Sequence, residues 1–303
     1  MGLHKLSPGQ VMVNYRFGKM EMGGTHHHLG RDHITVQSVL RDYPIAPVRM
    51  RASMHMLGAM IGLSDNLATT FMLPVKSLSM NHNVDTGGNF MTNSSGLGDL
   101  TIGLISNRQF SQSTNAAFGM SVSIPTGTIN AQDLTPASSP NEMLLPYPMQ
   151  LGSGSIDIKP KASISRQIGN IDFGSTISAT LRSGKNESGY SLGNGLNTSL
   201  WMGFKPTSST QTSIAFEYNR WGNISGNDSR LQQQLSKIPS ADPNLRSGSE
   251  LLFSPEIIVS KSNTKLGSHG IILSGSIPLW HSLEGPQLGL AWSFGLGWRF
   301  STN

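Results

Sequence analysis

The apolar positions of the chain recur every second residue, and the last segment shows this pattern most clearly. Its bulky apolar residues are Leu288, Leu290, Trp292, Phe294, Leu296, Trp298 and Phe300, and the residues between them are small or polar. Successive side chains of a β-strand point to opposite faces, whereas an amphipathic helix needs apolar residues three and four positions apart. The segment therefore predicts a strand with one apolar face and one small or polar face.

The same period of two predicts strands along the whole chain. Clear examples are the segments 11–17, 100–104, 171–181 and 196–204. The twelve strands predicted in this way are 10–22, 49–63, 67–80, 99–110, 115–127, 154–168, 171–183, 195–206, 210–222, 249–261, 268–280 and 287–300. Short helices are expected only inside two connections, at Thr35–Tyr43 and at Arg230–Lys237.

The connections between these strands alternate in length. Short ones are 64–66, 111–114, 169–170, 207–209 and 262–267, and long ones are 23–48, 81–98, 128–153, 184–194 and 223–248. The last outside connection, 281–286, is brief and departs from the alternation. Transmembrane β-barrels alternate short periplasmic turns with long outside loops, and an even strand count puts both termini on the periplasmic side. The pattern predicts an all-β fold, a transmembrane antiparallel up-and-down β-barrel of about 12 strands, as a single domain over 1–303.

Composition supports a membrane barrel and excludes several other classes. Only 13% of the residues are charged, yet the mean hydropathy is no higher than −0.18. The reason is that Gly (34 residues), Ser, Thr and Asn stand where a soluble protein would have charged residues. No run approaches the roughly 18 apolar residues that a membrane-spanning helix needs. The absence of cysteine removes disulfides and thiolate sites, and it fits a chain that crosses an oxidising periplasm. The start MGLHKLSPGQ is not a signal peptide, so for a bacterial outer-membrane protein we expect a leader outside this numbering.

The net charge of +5 comes from scattered basic residues, which gives no reason to expect a nucleic-acid partner. Membrane lipid and lipopolysaccharide are the expected surroundings. An aromatic-rich last strand that ends in Phe near the terminus also resembles the signal read by the barrel-assembly machinery. Here Ser301–Asn303 follow Phe300, a small departure from the strictest form.

Three motifs carry a family resemblance. They are MHMLGAM (Met54–Met60), SSGLGDL (Ser94–Leu100) and LPYPMQLGSGSIDIKP (Leu145–Pro160). The chain resembles a family of bacterial outer-membrane proteins described as transporters of the MetA pathway of phenol degradation, best over residues 10–168. The resemblance implies a membrane barrel that passes small, apolar solutes. Met- and His-rich members of this type look like proteins associated with copper handling, but the resemblance brings no catalytic or binding residues to this chain.

Methionine is concentrated near the N-terminus, with 11 of 15 at or before residue 91. In strands 1 to 3 these residues fall on even positions, opposite the apolar odd face, so they are predicted to point inward. Thioether sulfur is a soft ligand that suits Cu(I), and the candidate ligands are Met12, Met20, Met54, Met56, Met60 and Met72. The alternative is that unbranched Met fills an irregular interior.

Histidine is concentrated in the same part of the chain. His26, His27, His28 and His33 fall in the first predicted outside loop, where imidazole could bind Cu(II). A solvated loop without a specific metal site is the alternative.

The period of two also predicts charged residues on the inner face of the barrel. They are Arg16, Lys76, Asp157, Lys159, Lys161, Asp172, Arg182, Lys205, Glu217, Glu256 and Arg299. A mixed, slightly cation-rich lumen could select anions. It could equally form a ladder of ion pairs that closes a narrow barrel.

No enzyme is predicted, because G-x-S-x-G, a P-loop and a phospholipase-type His-x-Ser-Asn-Gly stretch are all absent from the sequence. Three hypotheses remain. The first is an outer-membrane channel or transporter for small solutes, apolar or aromatic, with no required cofactor. The second is a barrel that binds or handles soft metal, and the third is a structural scaffold with an envelope protein partner.

Overall fold

The computed structural model describes residues 6–23, 34–263 and 267–302. Its strands are β1 (Val11–Gly23), β2 (Ile45–Ser64), β3 (Leu67–Val84), β4 (Asn89–Leu97), β5 (Leu100–Gln109), β6 (Thr114–Ile124), β7 (Gln132–Leu134), β8 (Glu142–Leu144), β9 (Asp157–Ile168), β10 (Ile171–Arg182), β11 (Tyr190–Ser191), β12 (Gly195–Phe204), β13 (Thr210–Trp221), β14 (Ser225–Gly226), β15 (Gly248–Asn263), β16 (Gly267–Leu283) and β17 (Leu290–Ser301). The helix α1 spans Val36–Asp42, and 3₁₀ turns span Tyr147–Met149, Ser229–Gln234, Pro239–Ala241 and Pro243–Leu245.

The long strands close into one antiparallel barrel. The first strand, β1, pairs with β2 on one edge and with the last strand, β17, on the other, so that Tyr15 lies opposite Trp298. Around the wall, β3 follows β2, and β4 and β5 share the next position because they pair with successive parts of β3. Then come β6, β9, β10, β12, β13, β15 and β16. The predicted barrel of about 12 strands is confirmed, with one wall position divided between two strands.

The predicted outside loop 81–98 is wrong. There β3 continues to Val84 and β4 runs from Asn89 to Leu97, joined by a tight turn at 85–88. The pattern missed β4 because Asn93 and Ser95 interrupt its outer face between the apolar residues Met91 and Leu97. In the part of the chain that the structure describes, only one edge of β4 pairs with a barrel strand, and the other lies beside β7, where the Asn93 N–H donates to Oδ2 of Asp133 at 2.6 Å.

Both predicted loop helices coincide in position with helical turns in the structure. In α1 the Thr35 hydroxyl accepts from the backbone N–H of Ser38 at 3.2 Å, which caps the first turn. The predicted helix at 230–237 is instead a 3₁₀ turn at Ser229–Gln234, capped by Asp228. A run of 3₁₀ hydrogen bonds suits a short segment that packs against other loops.

The outer face of the barrel exposes large apolar side chains in a band. Leu57 is 54% exposed, Leu200 62% and Ile271 57%, and the neighbours of each along the strand point inward. On a closed barrel such a band meets acyl chains, since the wall strands pair with one another around the barrel. This architecture identifies the chain as an outer-membrane barrel. Within the described residues, no helix has the length and apolar character to cross a bilayer.

The outward-facing positions change from odd to even where β4 gives way to β5. Apolar residues that face outward are Met91 and Leu97 in β4 but Ile102 and Leu104 in β5. An irregularity at Gly98 and Asp99 accounts for the change from odd to even positions, as a β-bulge does.

The buried core lies at the end of the barrel that carries the long loops, here called the outer end. Leu145, Met149 and Leu151 of the loop 125–156 pack against inward residues of β2 and β3. A second cluster joins three loops through Leu144, Tyr147, Tyr190, Ile224 and Leu231. The loops therefore fold into and across the outer end of the lumen.

Candidate functional site

The inner face of β1–β3 is apolar at its outer end. Met50, Ala52, Leu78 and Met80 are buried there against Leu145, Met149 and Leu151. We call these seven residues the outer apolar cluster. Met20 and Met22 pack against it from β1. Met20, a candidate metal ligand from the sequence, therefore lies among hydrocarbon side chains, as expected for methionine that fills space.

A separate methionine group lies nearer the periplasmic end of the same wall. Met12 of β1 is directly opposite Met60 of β2. Met72 of β3 faces Gly58, which places it diagonally between Met56 and Met60. Met12, Met56, Met60 and Met72 are called the inner methionine patch; Met54 lies one inward position further along β2.

The other metal-ligand candidates are not brought together by the structure. His26, His27, His28 and His33 lie outside the described residues. Within residues 6–23, 34–263 and 267–302, no group of three or more His, Cys, Asp or Glu is placed to hold a metal ion.

One carboxylate anchors the loop 125–156 inside the barrel. Asp99 follows β4, and its Oδ1 accepts from the Gly127 N–H at 3.0 Å. Its Oδ2 accepts from the Ser153 N–H at 2.8 Å and from the Ser153 hydroxyl at 2.9 Å. Three donors on one carboxylate fix both ends of this loop beside β4. The motif residues 94–100 and 145–160, separate in sequence, meet at this point.

Further contacts hold the same loop against the wall. The Ser94 hydroxyl donates to the Met149 carbonyl at 2.7 Å, and the Lys76 ammonium donates to the Leu151 carbonyl at 2.8 Å. A Cβ on Gly152 would stand 2.3 Å from the Gly127 carbonyl oxygen, so only glycine allows this close backbone approach. Lys76, predicted as a lumen charge, thus binds the loop.

The wall formed by β9 and β10 carries paired charges at its outer end. Arg182 forms an ion pair with Asp157, which is only 1% exposed, and the Ser155 hydroxyl donates to Asp157 Oδ1 at 2.9 Å. The Lys159 ammonium donates to the Ser123 hydroxyl at 3.1 Å. These three predicted lumen charges lie on the inner face and in contact with protein groups.

The remaining predicted lumen charges also fall on inward positions. Lys205 pairs with Asp172 at 2.8 Å, and the Arg16 guanidinium donates to the Ser274 hydroxyl at 2.7 Å. The strand register places four more there: Lys161 opposite Gly119, Glu217 opposite Ser199, Glu256 opposite Ser274 and Arg299 opposite Gly270. The charges are spread along the barrel and do not form one ring.

One arginine also links the outer loops. Arg230 pairs with Asp228 at 2.7 Å and also donates to Asn130 Oδ1 at 2.7 Å and to the Ser188 hydroxyl at 2.8 Å. These contacts join the loops 125–156, 183–194 and 222–247. Burial alone would raise the pKa of Asp228, but its hydrogen bonds with Arg230 and the Arg230 charge together lower that pKa. Burial raises the pKa of the nearby Tyr190 to about 12.

Two cavities lie at opposite ends of the lumen. The outer one, of about 690 Å³, is bordered by β3, β4 and the loops 125–156 and 222–247. The periplasmic one, of about 210 Å³, is polar and includes Asn107, Gln167, Asp172 and Lys205 in its lining. Trp201 also lines it and is 7% exposed; a Cβ on Gly174 would lie 2.2 Å from its ring.

Sequence reasoning missed several of these residues. Asp99 and Ser153 lie within the quoted motifs, so their motif membership was the available signal. Trp201 stands at an odd position among apolar even ones in 196–204, which marks it as inward. Nothing in the sequence pattern singles out Arg230, since its partners come from two other loops.

Comparison with known proteins agrees with the fold. The profile of the family described as the MetA pathway of phenol degradation matches residues 50–257, more than half of the chain. An outer membrane channel from Pseudomonas putida F1 has a similar structure, with a TM-score of 0.69 at 14% identity, over 98% of this chain and 96% of that one. The NanC porin (TM-score 0.45, 11% identity, 95% and 98% covered) and a Pseudomonas aeruginosa FadL homologue (0.42, 10%, 96% and 89%) are more distant. No curated protein sequence matches the chain.

Proposed function

Because the chain belongs to the MetA-pathway family of phenol degradation and forms a closed outer-membrane barrel, we propose that it is a channel for small apolar solutes. The observation that carries this proposal is the outer cavity of about 690 Å³, which Met143, Leu144 and Leu145 line. A channel for hydrated solutes gains from polar groups along its lining, because they replace lost water contacts. A lining of Met and Leu offers no such replacement, and it favours solutes that prefer hydrocarbon surroundings.

The two cavities support a route from one end of the lumen to the other. The outer cavity offers apolar lining from the residues Met143, Leu144 and Leu145. The periplasmic cavity is polar and small, so an apolar solute would be bound more weakly there than at the outer end. Such a gradient lets a solute bind outside and leave toward the periplasm.

The remaining features of the channel follow from the same proposal. We propose one domain over 1–303, embedded in outer-membrane lipid and lipopolysaccharide and inserted by the barrel-assembly machinery through its last strand. Passive passage needs no cofactor and no catalytic residue.

The test compares an apolar solute with a hydrophilic one. Uptake of labelled naphthalene is measured in cells whose outer membrane carries the protein and in cells without it; liposome swelling with sucrose is measured on purified protein. We expect faster naphthalene uptake, severalfold, and little swelling. Rapid swelling without a gain in naphthalene uptake would identify a general porin and contradict the proposal.

Two variants of one loop sharpen this test. Met143→Lys places a charge in the lining of the outer cavity, whereas Leu134→Lys changes an exposed residue of the same loop. We expect the first variant to reduce naphthalene uptake and the second to leave it unchanged. Equal uptake by both variants would mean that the outer cavity is not on the route.

A soft-metal function is the second candidate, and the inner methionine patch favours it. Met12 is directly opposite Met60, and Met72 is a diagonal neighbour of both Met56 and Met60, so thioethers of three adjacent strands lie on one part of the inner face. Titration with Cu(I) should then give stoichiometric uptake, and replacement of Met54, Met56 and Met60 by Leu should remove it. No uptake, or uptake that survives the replacement, would leave the patch as packing. The scaffold hypothesis stays a prediction.

A further inference from the structure

The outer cavity is lined by two side chains that each have a buried polar atom without a hydrogen-bond partner. Both line it, and both are only 2% exposed: His82 at the end of β3 and Thr92 of β4. Within the described part of the chain, neither Nδ1 of His82 nor Oγ1 of Thr92 has a hydrogen-bond partner. Buried polar groups in folded proteins are nearly always paired, so two orphans in one cavity call for a ligand that satisfies them.

The two side chains are close enough for one ligand group to reach both. His82 is opposite Phe90 and Met80 is opposite Thr92 in the β3–β4 ladder, so His82 and Thr92 are diagonal neighbours on the inward face. Diagonal neighbours in an antiparallel pair have their Cβ atoms within about 8 Å of each other. The His82 ring is fixed by stacking on Phe90, with ring centroids 4.7 Å apart and planes at 12°.

The charge around the cavity selects the kind of polar group. Among the described lining residues there is no Asp or Glu, and the two cationic ones, Arg230 and Lys237, belong to the loop 222–247. Arg230 is already bound to Asp228, and Lys237 is exposed. The buried end with His82 and Thr92 therefore offers two neutral hydrogen-bonding groups and no counter-charge for an ion.

A hydroxyl matches this pair best. It can donate its proton to Nδ1 of a neutral imidazole and accept the Thr92 hydroxyl proton at the same oxygen. If Nδ1 carries the proton, it donates to the ligand oxygen instead, and that oxygen has a second lone pair to accept this hydrogen bond. A hydrocarbon without a hydroxyl would leave both protein groups unpaired. Its binding affinity would be lower for that reason, since a buried polar group without a partner costs free energy.

We propose that the outer cavity is a binding site for a neutral apolar molecule that carries one hydroxyl, with the hydroxyl held between His82 and Thr92. The proposal rests on the apolar-channel function and names the solute class that the channel binds first. A volume of about 690 Å³ accommodates a ligand of one or two rings. The apolar residues Met143 to Pro146 would then contact its hydrocarbon part.

The test measures binding, which is independent of transport. The full chain in lipid nanodiscs is titrated with 2-naphthol, with naphthalene and with 2-naphthoate, and empty nanodiscs are subtracted. We expect 2-naphthol to bind about tenfold more tightly than naphthalene, as the loss of a hydrogen-bonded group predicts. The anionic 2-naphthoate should bind more weakly than 2-naphthol. Equal affinities for 2-naphthol and naphthalene would overturn the proposal.

Variants assign the binding to the two residues. Thr92→Val and His82→Phe remove the polar atoms with little change of shape, and Thr176→Val on β10 is the matched control on another part of the inner face. The first two should lower 2-naphthol affinity by about tenfold and leave naphthalene affinity unchanged, while the control changes neither. Thr92→Val should not lower the thermal stability of the ligand-free protein, since it removes an unpaired group.

The outcomes separate the site from the channel. If Thr92→Val and the control bind 2-naphthol alike, the site is wrong, although naphthalene uptake by cells can still establish the channel. If 2-naphthol binds through His82 and Thr92 but cells gain no naphthalene uptake, the site stands and the channel for apolar solutes is wrong.

Discussion

Two parts of the same inner barrel surface are lined in opposite ways. The wall of β1–β3 presents Met50, Leu78 and Met80 to the interior, whereas the wall of β9 and β10 presents Asp157, Lys159 and Arg182. Both walls follow the same two-residue alternation with an apolar outer face. The two walls differ in the groups that pack against them. The apolar wall contacts side chains of the loop 125–156, and the charged wall contacts hydroxyl and carboxylate groups.

The comparison shows that inward does not mean polar. A side chain inside a barrel is matched to whatever lies against it, and a loop folded into the lumen turns one part of the lining into a small hydrophobic core. Such a core restricts a lumen of intermediate width. The charged wall holds its carboxylate and cations in fixed pairs and so keeps its own shape.

The largest effect is expected from a charge placed in the apolar wall. Met80→Lys buries an ammonium group within the outer apolar cluster, where no carboxylate is among the packed residues. We expect it to destabilise the barrel by more than about 3 kcal/mol, or to prevent folding. Thr176→Lys on β10 should fold. Heat-dependent electrophoretic mobility and denaturant unfolding measure both, and equal loss in the two variants would remove the distinction between the walls.

The charged wall should be destabilised when one partner of its buried ion pair is removed. Arg182→Met leaves Asp157 without its counter-charge at 1% exposure, which should cost about 3–5 kcal/mol in unfolding free energy. The double variant Asp157→Asn with Arg182→Met should recover much of the loss. Denaturant unfolding gives both values; if the single variant is as stable as the parent, the pair contributes nothing to this wall.

A smaller effect is expected at the anchor that brings the loop to the apolar wall. Asp99→Ala removes the acceptor of three hydrogen bonds to Gly127 and Ser153. Loop release should cost about 1–3 kcal/mol and raise both single-channel conductance and protease cleavage within 125–156. Asp172→Ala, which removes a carboxylate near the other end, is the control. Unchanged cleavage in Asp99→Ala would show that other contacts suffice to hold the loop.

The smallest effect concerns pH and the loop contact of Arg230. The pKa of Asp228 is lowered by folding, so its contribution is present above the ordinary carboxylate range and is lost as pH falls below it. Arg230 is about half exposed, so solvent screening keeps the effect modest. Protease cleavage of the outer loops should increase between pH 5 and about pH 3, and Arg230→Ala should abolish most of that pH dependence. A parent and a variant with the same pH profile would contradict this.

Much of the architecture is predictable from the sequence because a membrane imposes one rule on every wall strand. The apolar odd positions of β1–β3 gave the inward face of their methionines correctly. The rule fails at β4, where Asn93 and Ser95 interrupt the apolar outer face. On its inward face Ser94 contacts the loop 125–156 and Thr92 lines the outer cavity. The reversal at Gly98 and Asp99 has no signature in hydropathy.

The candidate site is less predictable, for a related reason. Inward charges could be assigned by parity, but their partners could not, since Asp157 and Arg182 lie on different strands and Arg230 reaches two other loops. The cavity around His82 and Thr92 depends on how long loops pack, which is decided by contacts between residues far apart in sequence.

The alternation of lipid-facing and inward residues is the claim on which the account depends, and single cysteines test it most directly because the chain has none. A fluorescent label is attached at Leu57→Cys or at Met56→Cys, adjacent positions of β2, and quenching by nitroxide-labelled lipid is measured in bilayers. We predict strong quenching at position 57 and little at position 56. Equal quenching at both positions, or stronger quenching at 56, would contradict the account.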